Sequence, residues 1–287
     1  MDMRYATFFD ILRIFIVGRA VNRHRLSTVI DDAERAGRLT LTTAQIAELL
    51  PGVSPDALRQ ALLRQQRRGR VTRVARGAGQ WLLVPLMHAG SGAPPIETWL
   101  HRFLTTTLKE PYYVALLSAA EAYGVSPYAT TVTQVMVPAQ RRPITVGRQR
   151  IVFHTRAHIT ALPTRWHETA DGRFLISTPE LTMLDLIRRQ ELVGGVDRVS
   201  EVVAELAAHA TADGLAAALE AASDVPNAQR LGALLALNGS TLADTIAAWL
   251  EDRSLRTILL ASGISGPLEK DEIFRVLRPT HLQASNT

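Results

Sequence analysis

Between residues 42 and 85 the spacing of apolar positions changes from helical to alternating, and that change outlines a folding unit. Ile46, Leu49 and Leu50 fall on one face of a short helix that Thr42 can cap, with Gln45 placed to complete a capping box. Pro51-Gly52 breaks this helix. Ser54 is then a good N-cap, Pro55 takes the first helical position, where its missing N–H costs nothing, and Asp56 suits the positive end of the helix. At the helical period Leu58, Ala61, Leu62 and Gln65 form a seam, while Asp56, Arg59, Gln60, Leu63, Arg64 and Arg67 share the opposite face. Gly69 closes the second helix, Val71-Thr72-Arg73-Val74 alternates like a strand, Gly77-Ala78-Gly79 makes a tight turn, and residues 80–84 return as a second strand. Helix, turn, helix and two-stranded wing is the order of a winged helix-turn-helix, whose second helix enters the DNA major groove.

The rest of the chain frames that unit. Residues 5–20 are the most apolar stretch, but Asp10 and Arg13 interrupt a run already too short to cross a bilayer, so an amphipathic helix packing on a domain or on a second copy is expected. Residues 27–37 read as a helix with a serine cap and first-turn Asp31 and Asp32. Residues 87–95 are a Gly/Pro-rich linker. Beyond it, 96–108 read as an amphipathic helix and 112–123 as a buried one, with strands over 131–137, 149–154 and 174–176. Ser177-Thr178-Pro179-Glu180 starts another helix as a Ser-x-x-Glu box, and 199–250 are helix after helix, broken near Gly214, Pro226 and Gly239. The fold class is α+β: an apolar leader (1–22), a winged helix-turn-helix (23–86), a linker (87–95), a mixed domain with a small sheet and a helical C-terminal half (96–279), and a polar tail (280–287).

Charge sharpens this picture. Residues 1–90 carry 14 Lys and Arg against 7 Asp and Glu, whereas the rest carries 18 against 20. Seven arginines (Arg59, Arg64, Arg67, Arg68, Arg70, Arg73, Arg76) run without an acid between them, a field suited to phosphates. Only Lys109 and Lys270 are lysines, so arginine bias contributes to the run, and a solvated helix face is the plain alternative. On the DNA reading Ser54 sets the helix start, Gln60 can pair with adenine, Arg64 or Arg67 with guanine, and Leu63 can touch a thymine methyl. Arg59, Arg68, Arg73 and Arg76 suit phosphates. Gln60 and Leu63 are as well explained as exposed filler. A second basic stretch, Arg141, Arg142, Arg148, Arg150, Arg156 and Arg165, meets flanking DNA, meets a protein, or is a solvated loop.

The segments YYVALLSAAEAYGVS, VMVPAQRRP, ISTPELTMLDLI and NAQRLGALLALNG follow the basic unit in that order. Their order over residues 27–278 resembles the AbiEi family, the antitoxin half of AbiE-type, type IV toxin-antitoxin systems. The resemblance implies a phage-defence antitoxin that represses its own operon at inverted repeats of double-stranded DNA and whose second domain neutralises a co-encoded nucleotidyltransferase-type toxin. An inverted repeat would imply paired copies about a two-fold axis. The alternatives are a winged-helix regulator with a ligand-sensing second domain, and one whose second domain binds a protein.

Catalytic constellations are absent from the sequence. His154 and His158 stand four apart with His167 nearby, but Ile151-Val152-Phe153 argues for a strand there, no His-Glu-x-x-His occurs, and cysteine is absent, so no metal site is expected. Gly77-Ala78-Gly79 lacks a third glycine, Ser91 and Ser265 do not lie in Gly-x-Ser-x-Gly, and there is no Walker motif. The expectation is a cytoplasmic, cofactor-free DNA-binding regulator, not an enzyme and not membrane-bound.

Overall fold

A computed structural model describes residues 25–75, 79–107, 109–125, 132–264, 266–280 and 282, so the apolar leader and most of the polar tail lie outside the described residues. The chain divides into two compact units, Met1–Pro94 with Val146–Arg148, and Pro95–Thr145 with Gln149–Thr287.

The first unit runs α1 (Leu26–Arg35), β1 (Thr40–Thr42), α2 (Thr43–Glu48), α3 (Pro55–Arg67), β2 (Val71–Ala75) and β3 (Gln80–Leu83). Its strands form an antiparallel sheet in the order β1-β3-β2, with Leu41 opposite Trp81 and Thr72 opposite Leu82. Ile30, Ile46, Leu50, Leu58, Leu62, Trp81 and Leu83 meet in one buried core. The predicted capping box at α2 is present: Thr42 Oγ1 accepts from Gln45 N at 3.0 Å and Gln45 Oε1 from Thr42 N at 2.9 Å, and a cap of this kind stabilises by about 1 kcal/mol. At α1 the expectation fails. The helix begins at Leu26 behind Arg25, with no side-chain cap, so Ser27 is already helical and Asp31 and Asp32 lie past the first turn. Burial of Leu26 against the core extends the helix upstream of its best capping residue. Strand β1, three residues long, is too short to show a period and was not expected.

The second unit is built on a six-stranded mixed sheet in the order β6-β7-β5-β4-β9-β8: β4 (Tyr113–Val114), β5 (Val132–Val137), β6 (Ile144–Val146), β7 (Gln149–Thr155), β8 (Thr164–Glu168) and β9 (Arg173–Ser177). β5 pairs with β7 and β4 with β9 in parallel, while β4–β5 and β8–β9 are antiparallel. Helices α4 (Leu116–Ala122), α5 (Pro179–Arg188), α6 (Val196–Ala207), α7 (Ala212–Ala222), α8 (Val225–Leu237) and α9 (Leu242–Leu250) follow. Every residue of α5 from Pro179 to Ile187 is buried, which makes it the axis about which the other helices pack. A three-stranded sheet, β10 (Ile258–Leu259), β11 (Leu268–Asp271) and β12 (Val276–Pro279), ends the fold in the order β10-β12-β11.

Several sequence expectations change here. Residues 112–123 are not one helix: Tyr113 and Val114 form the central strand β4, and α4 begins only at Leu116, which takes φ +56. Bulky Tyr-Tyr-Val suits a strand buried on both faces, and a two-residue strand leaves no readable period. The segment 96–107 is a run of short 3-10, α and π turns, with Trp99 at φ −134 interrupting it and Trp99, Leu100, Phe103 and Leu104 all buried. Thr178, not Ser177, caps α5, accepting from Leu181 N at 3.4 Å. Glu180 is therefore free of a capping-box role and instead accepts from Thr211 N at 2.9 Å. Gly214 lies inside α7 rather than at a break, and a Cβ there would come within 2.5 Å of Glu180 Oε1. The C-terminal sheet was not anticipated at all.

Segment 227–239 has a definite task in this fold. Gln229 Nε2 donates to the carbonyls of Phe274 at 2.7 Å and Arg256 at 3.0 Å, and Arg230 Nε donates to that of Leu259 at 2.9 Å. Gly232 leaves the room that the buried Phe274 ring occupies, since a Cβ would stand 2.3 Å from Phe274 Cε1. Helix α8 thus clamps the terminal sheet.

Candidate nucleic-acid interface

Helix α3 carries the first unit's exposed basic face. Ser54, itself exposed, accepts from Ala57 N at 3.3 Å, so its hydroxyl is engaged in holding the helix start. Leu58 and Leu62 are buried at 3% and 1% exposure, which turns Arg59, Gln60, Arg64 and Arg67 outward, all exposed, with Leu63 half-buried between them. Arg59 lies 3.6 Å from Asp56 in a solvent-exposed pair, too weak to withhold it from another anion. Arg68 is exposed at the helix end, and Arg73 on β2 stands over the Trp81 ring at 5.0 Å. Arg76 lies outside the described residues.

The seven-arginine run is not uniform. Arg70 donates from Nη2 to Asp31 and Glu34 at 3.0 Å each, with its side chain 18% exposed. Acids from α1 neutralise it, although none lies near it in sequence. These contacts tie α1 to the short segment between α3 and β2.

In the second unit the basic stretch separates into different roles. Arg142 and Arg150 are exposed, whereas Arg141 is engaged with Glu110, donating from Nε at 2.7 Å; Arg148, exposed as well, belongs to the first unit. Arg165 stacks over Tyr123 at 5.6 Å. Arg156 does not belong to a surface: it is 5% exposed and its Nε lies 3.9 Å from Asp185 Oδ1, with Asp185 fully buried. Asp185 also accepts from Tyr113 Oη at 2.8 Å. Burial pushes the Asp185 carboxyl up to about 6, against the opposing pull of Arg156 and the Tyr113 hydrogen bond. Burial raises the Tyr113 hydroxyl, and the nearby Asp185 charge raises it further. Sequence gave no sign of this cluster, because its three members come from β4, the end of β7 and α5.

Among the described residues no three His, Cys, Asp or Glu side chains gather as a metal site, and no helix is long and apolar enough to cross a membrane. His154 lies on β7 and His158 beyond it at φ +50, so the pair does not share a helix face.

This sheet with its helical second half is an antitoxin domain: residues 113–237 match the AbiEi antitoxin C-terminal domain. Over those residues the chain is similar to the AbiEi antitoxin family. That likeness suggests a regulator. The match spans β4 to the end of α8, so it takes in Tyr113, Asp185 and Glu180 and stops before the terminal sheet. The fold is similar to that of the RV2827C protein from Mycobacterium tuberculosis, known from a crystal structure, with a TM-score of 0.63 and 17% identity over 90% of this chain and 93% of that one. At that identity the likeness concerns the fold alone. A comparison with curated proteins finds no match.

Proposed function

We propose that this chain is the antitoxin of an AbiE-like toxin-antitoxin system, acting in the cytoplasm. In this reading the first unit is a winged helix-turn-helix that represses the chain's own operon by binding inverted-repeat promoter DNA, and the second neutralises a co-encoded nucleotidyltransferase-type toxin. The observation that carries the DNA half is the division of α3, with Leu58 and Leu62 in the core and Arg59, Gln60, Arg64 and Arg67 exposed along one face. Such a face admits direct readout by Gln60, Arg64 and Arg67, with Leu63 against a thymine methyl. Arg59, Arg68, Arg73 and Arg76 supply phosphate contacts, and Ser54 acts by setting the helix start. The exposed Arg142, Arg148 and Arg150 are left for flanking DNA or the toxin. The family match carries the antitoxin half.

The test separates the two halves. Arg64→Ala with Arg67→Ala in the full chain should weaken binding to the upstream repeat roughly 100-fold, since each base contact contributes about 1–3 kcal/mol. The same variant should still rescue a host expressing the downstream toxin gene. Unchanged operator affinity would remove α3 from its role, and failure of the wild-type chain to rescue would remove the antitoxin reading.

A further inference from the structure

Thr43, the first residue of α2, holds the start of β3 with its backbone and its side chain together. Its backbone N–H donates to the Gly79 carbonyl at 2.7 Å, and its hydroxyl donates to the same oxygen at 2.9 Å. The hydroxyl also accepts, from Trp81 Nε1 at 3.0 Å. An indole N–H can only donate and a carbonyl can only accept, so one orientation of the threonine hydroxyl satisfies both partners. Gly79 takes φ +58, and a Cβ there would stand 3.0 Å from Thr43 Oγ1, so glycine keeps this close approach open.

Trp81 is buried and lies directly opposite Arg73 in the pairing of β2 with β3. Opposite residues of an antiparallel pair share a face, and the Arg73 guanidinium accordingly stands over the indole ring at 5.0 Å. Arg73 is exposed, and among the described residues no carboxylate pairs with it, unlike Arg59 and Arg70. Attraction to a ring face leaves the N–H donors of a guanidinium free, and it restricts a long side chain that otherwise samples many rotamers. The apolar core around Trp81 is not directional. The Nε1 hydrogen bond to Thr43 is, and it sets the plane of the ring on which Arg73 rests.

We propose that Thr43 is a positioning residue for DNA binding: through the Trp81 ring it holds the Arg73 guanidinium ready for a backbone phosphate. The inference rests on the reading of the first unit as a DNA-binding unit, and it adds two residues that act without touching DNA. An arginine already held in place loses less side-chain freedom when phosphate arrives. Thr43 therefore contributes to affinity on every sequence and not to the choice among sequences.

The test uses the full chain and two labelled duplexes, one of the gene's own upstream region and one of random sequence, titrated at several salt concentrations. Arg73→Ala should weaken binding to both roughly tenfold and lower the slope of log affinity against log salt by about 1. Thr43→Val, which keeps the shape and removes the hydroxyl, should weaken both several-fold, while Thr43→Ser, which keeps the hydroxyl, should bind as the wild type does. In the Arg73→Ala background Thr43→Val should have no further effect, because it acts through that arginine. Trp81→Phe keeps a ring in the core, breaks the same link from the other side and should show the same dependence on Arg73; either variant, once shown to be folded by circular dichroism, suffices. An equal loss with and without Arg73 would mean a general structural role and overturn the proposal, as would wild-type affinity in Thr43→Val. Absence of binding by the wild-type chain to either duplex would instead remove the DNA reading itself, and the proposal with it.

Discussion

Replacing Gly232 by alanine tests how α8 holds the terminal sheet. Glycine inside a helix ordinarily costs about 1 kcal/mol relative to alanine, so from propensity alone the substitution stabilises. The structure reverses that sign. The new Cβ would stand 2.3, 2.4 and 2.8 Å from three Phe274 ring atoms, with the ring 1% exposed. The ring has little room to retreat, because Phe274 N donates to Asp271 Oδ1 at 2.9 Å and its carbonyl accepts from Gln229. Overpacking of this kind costs about 1–3 kcal/mol, and expelling the ring altogether costs about 3–5 kcal/mol. Net destabilisation of about 1–3 kcal/mol is expected, read as a lower urea midpoint by far-UV circular dichroism. The decisive arm is the cycle with Phe274→Ala. In that background the clash is gone, and Gly232→Ala should be neutral or stabilising by up to about 1 kcal/mol. Equal destabilisation in both backgrounds, or stabilisation of the wild type, would refute the argument.

Two further outcomes follow from buried charge. Arg70→Ala should destabilise the first unit by about 1–3 kcal/mol, read as a lower urea midpoint by far-UV circular dichroism, because it leaves the largely buried Glu34 without its partner and takes one from the half-exposed Asp31; a loss below experimental error would show that Arg70 does not hold α1. Asp185 holds its proton up to about 6 in the fold, against 3.8 for the ordinary carboxyl. Its contribution to stability is therefore complete below about pH 4 and lost as pH rises through 6, a fall on the order of 3 kcal/mol. Asp185→Asn should flatten that part of the stability profile whatever it does to the absolute level at neutral pH, where it also leaves Arg156 without its counter-charge. An unchanged slope would place the titration elsewhere.

What the sequence alone determined is local. The capping box at Thr42, the Ser54-Pro55 start of α3 and the alternation of β2, β5 and β7 are set by neighbours within a few residues, and side-chain period and capping chemistry report them directly. The order of four segments also carried the resemblance to AbiEi antitoxins, which the match over residues 113–237 supports. Tertiary structure decided what depends on distant partners. Arg70 reads as one more phosphate ligand until α1 brings Asp31 and Glu34 to it, and Arg156 reads as surface until β7 ends over Asp185. Tyr113 and Val114 look helical until β5 and β9 flank them, because two residues between strong neighbours on both sides take their conformation from pairing and not from period. Charge pairing and strand pairing act through space, and a single sequence records only one partner of each.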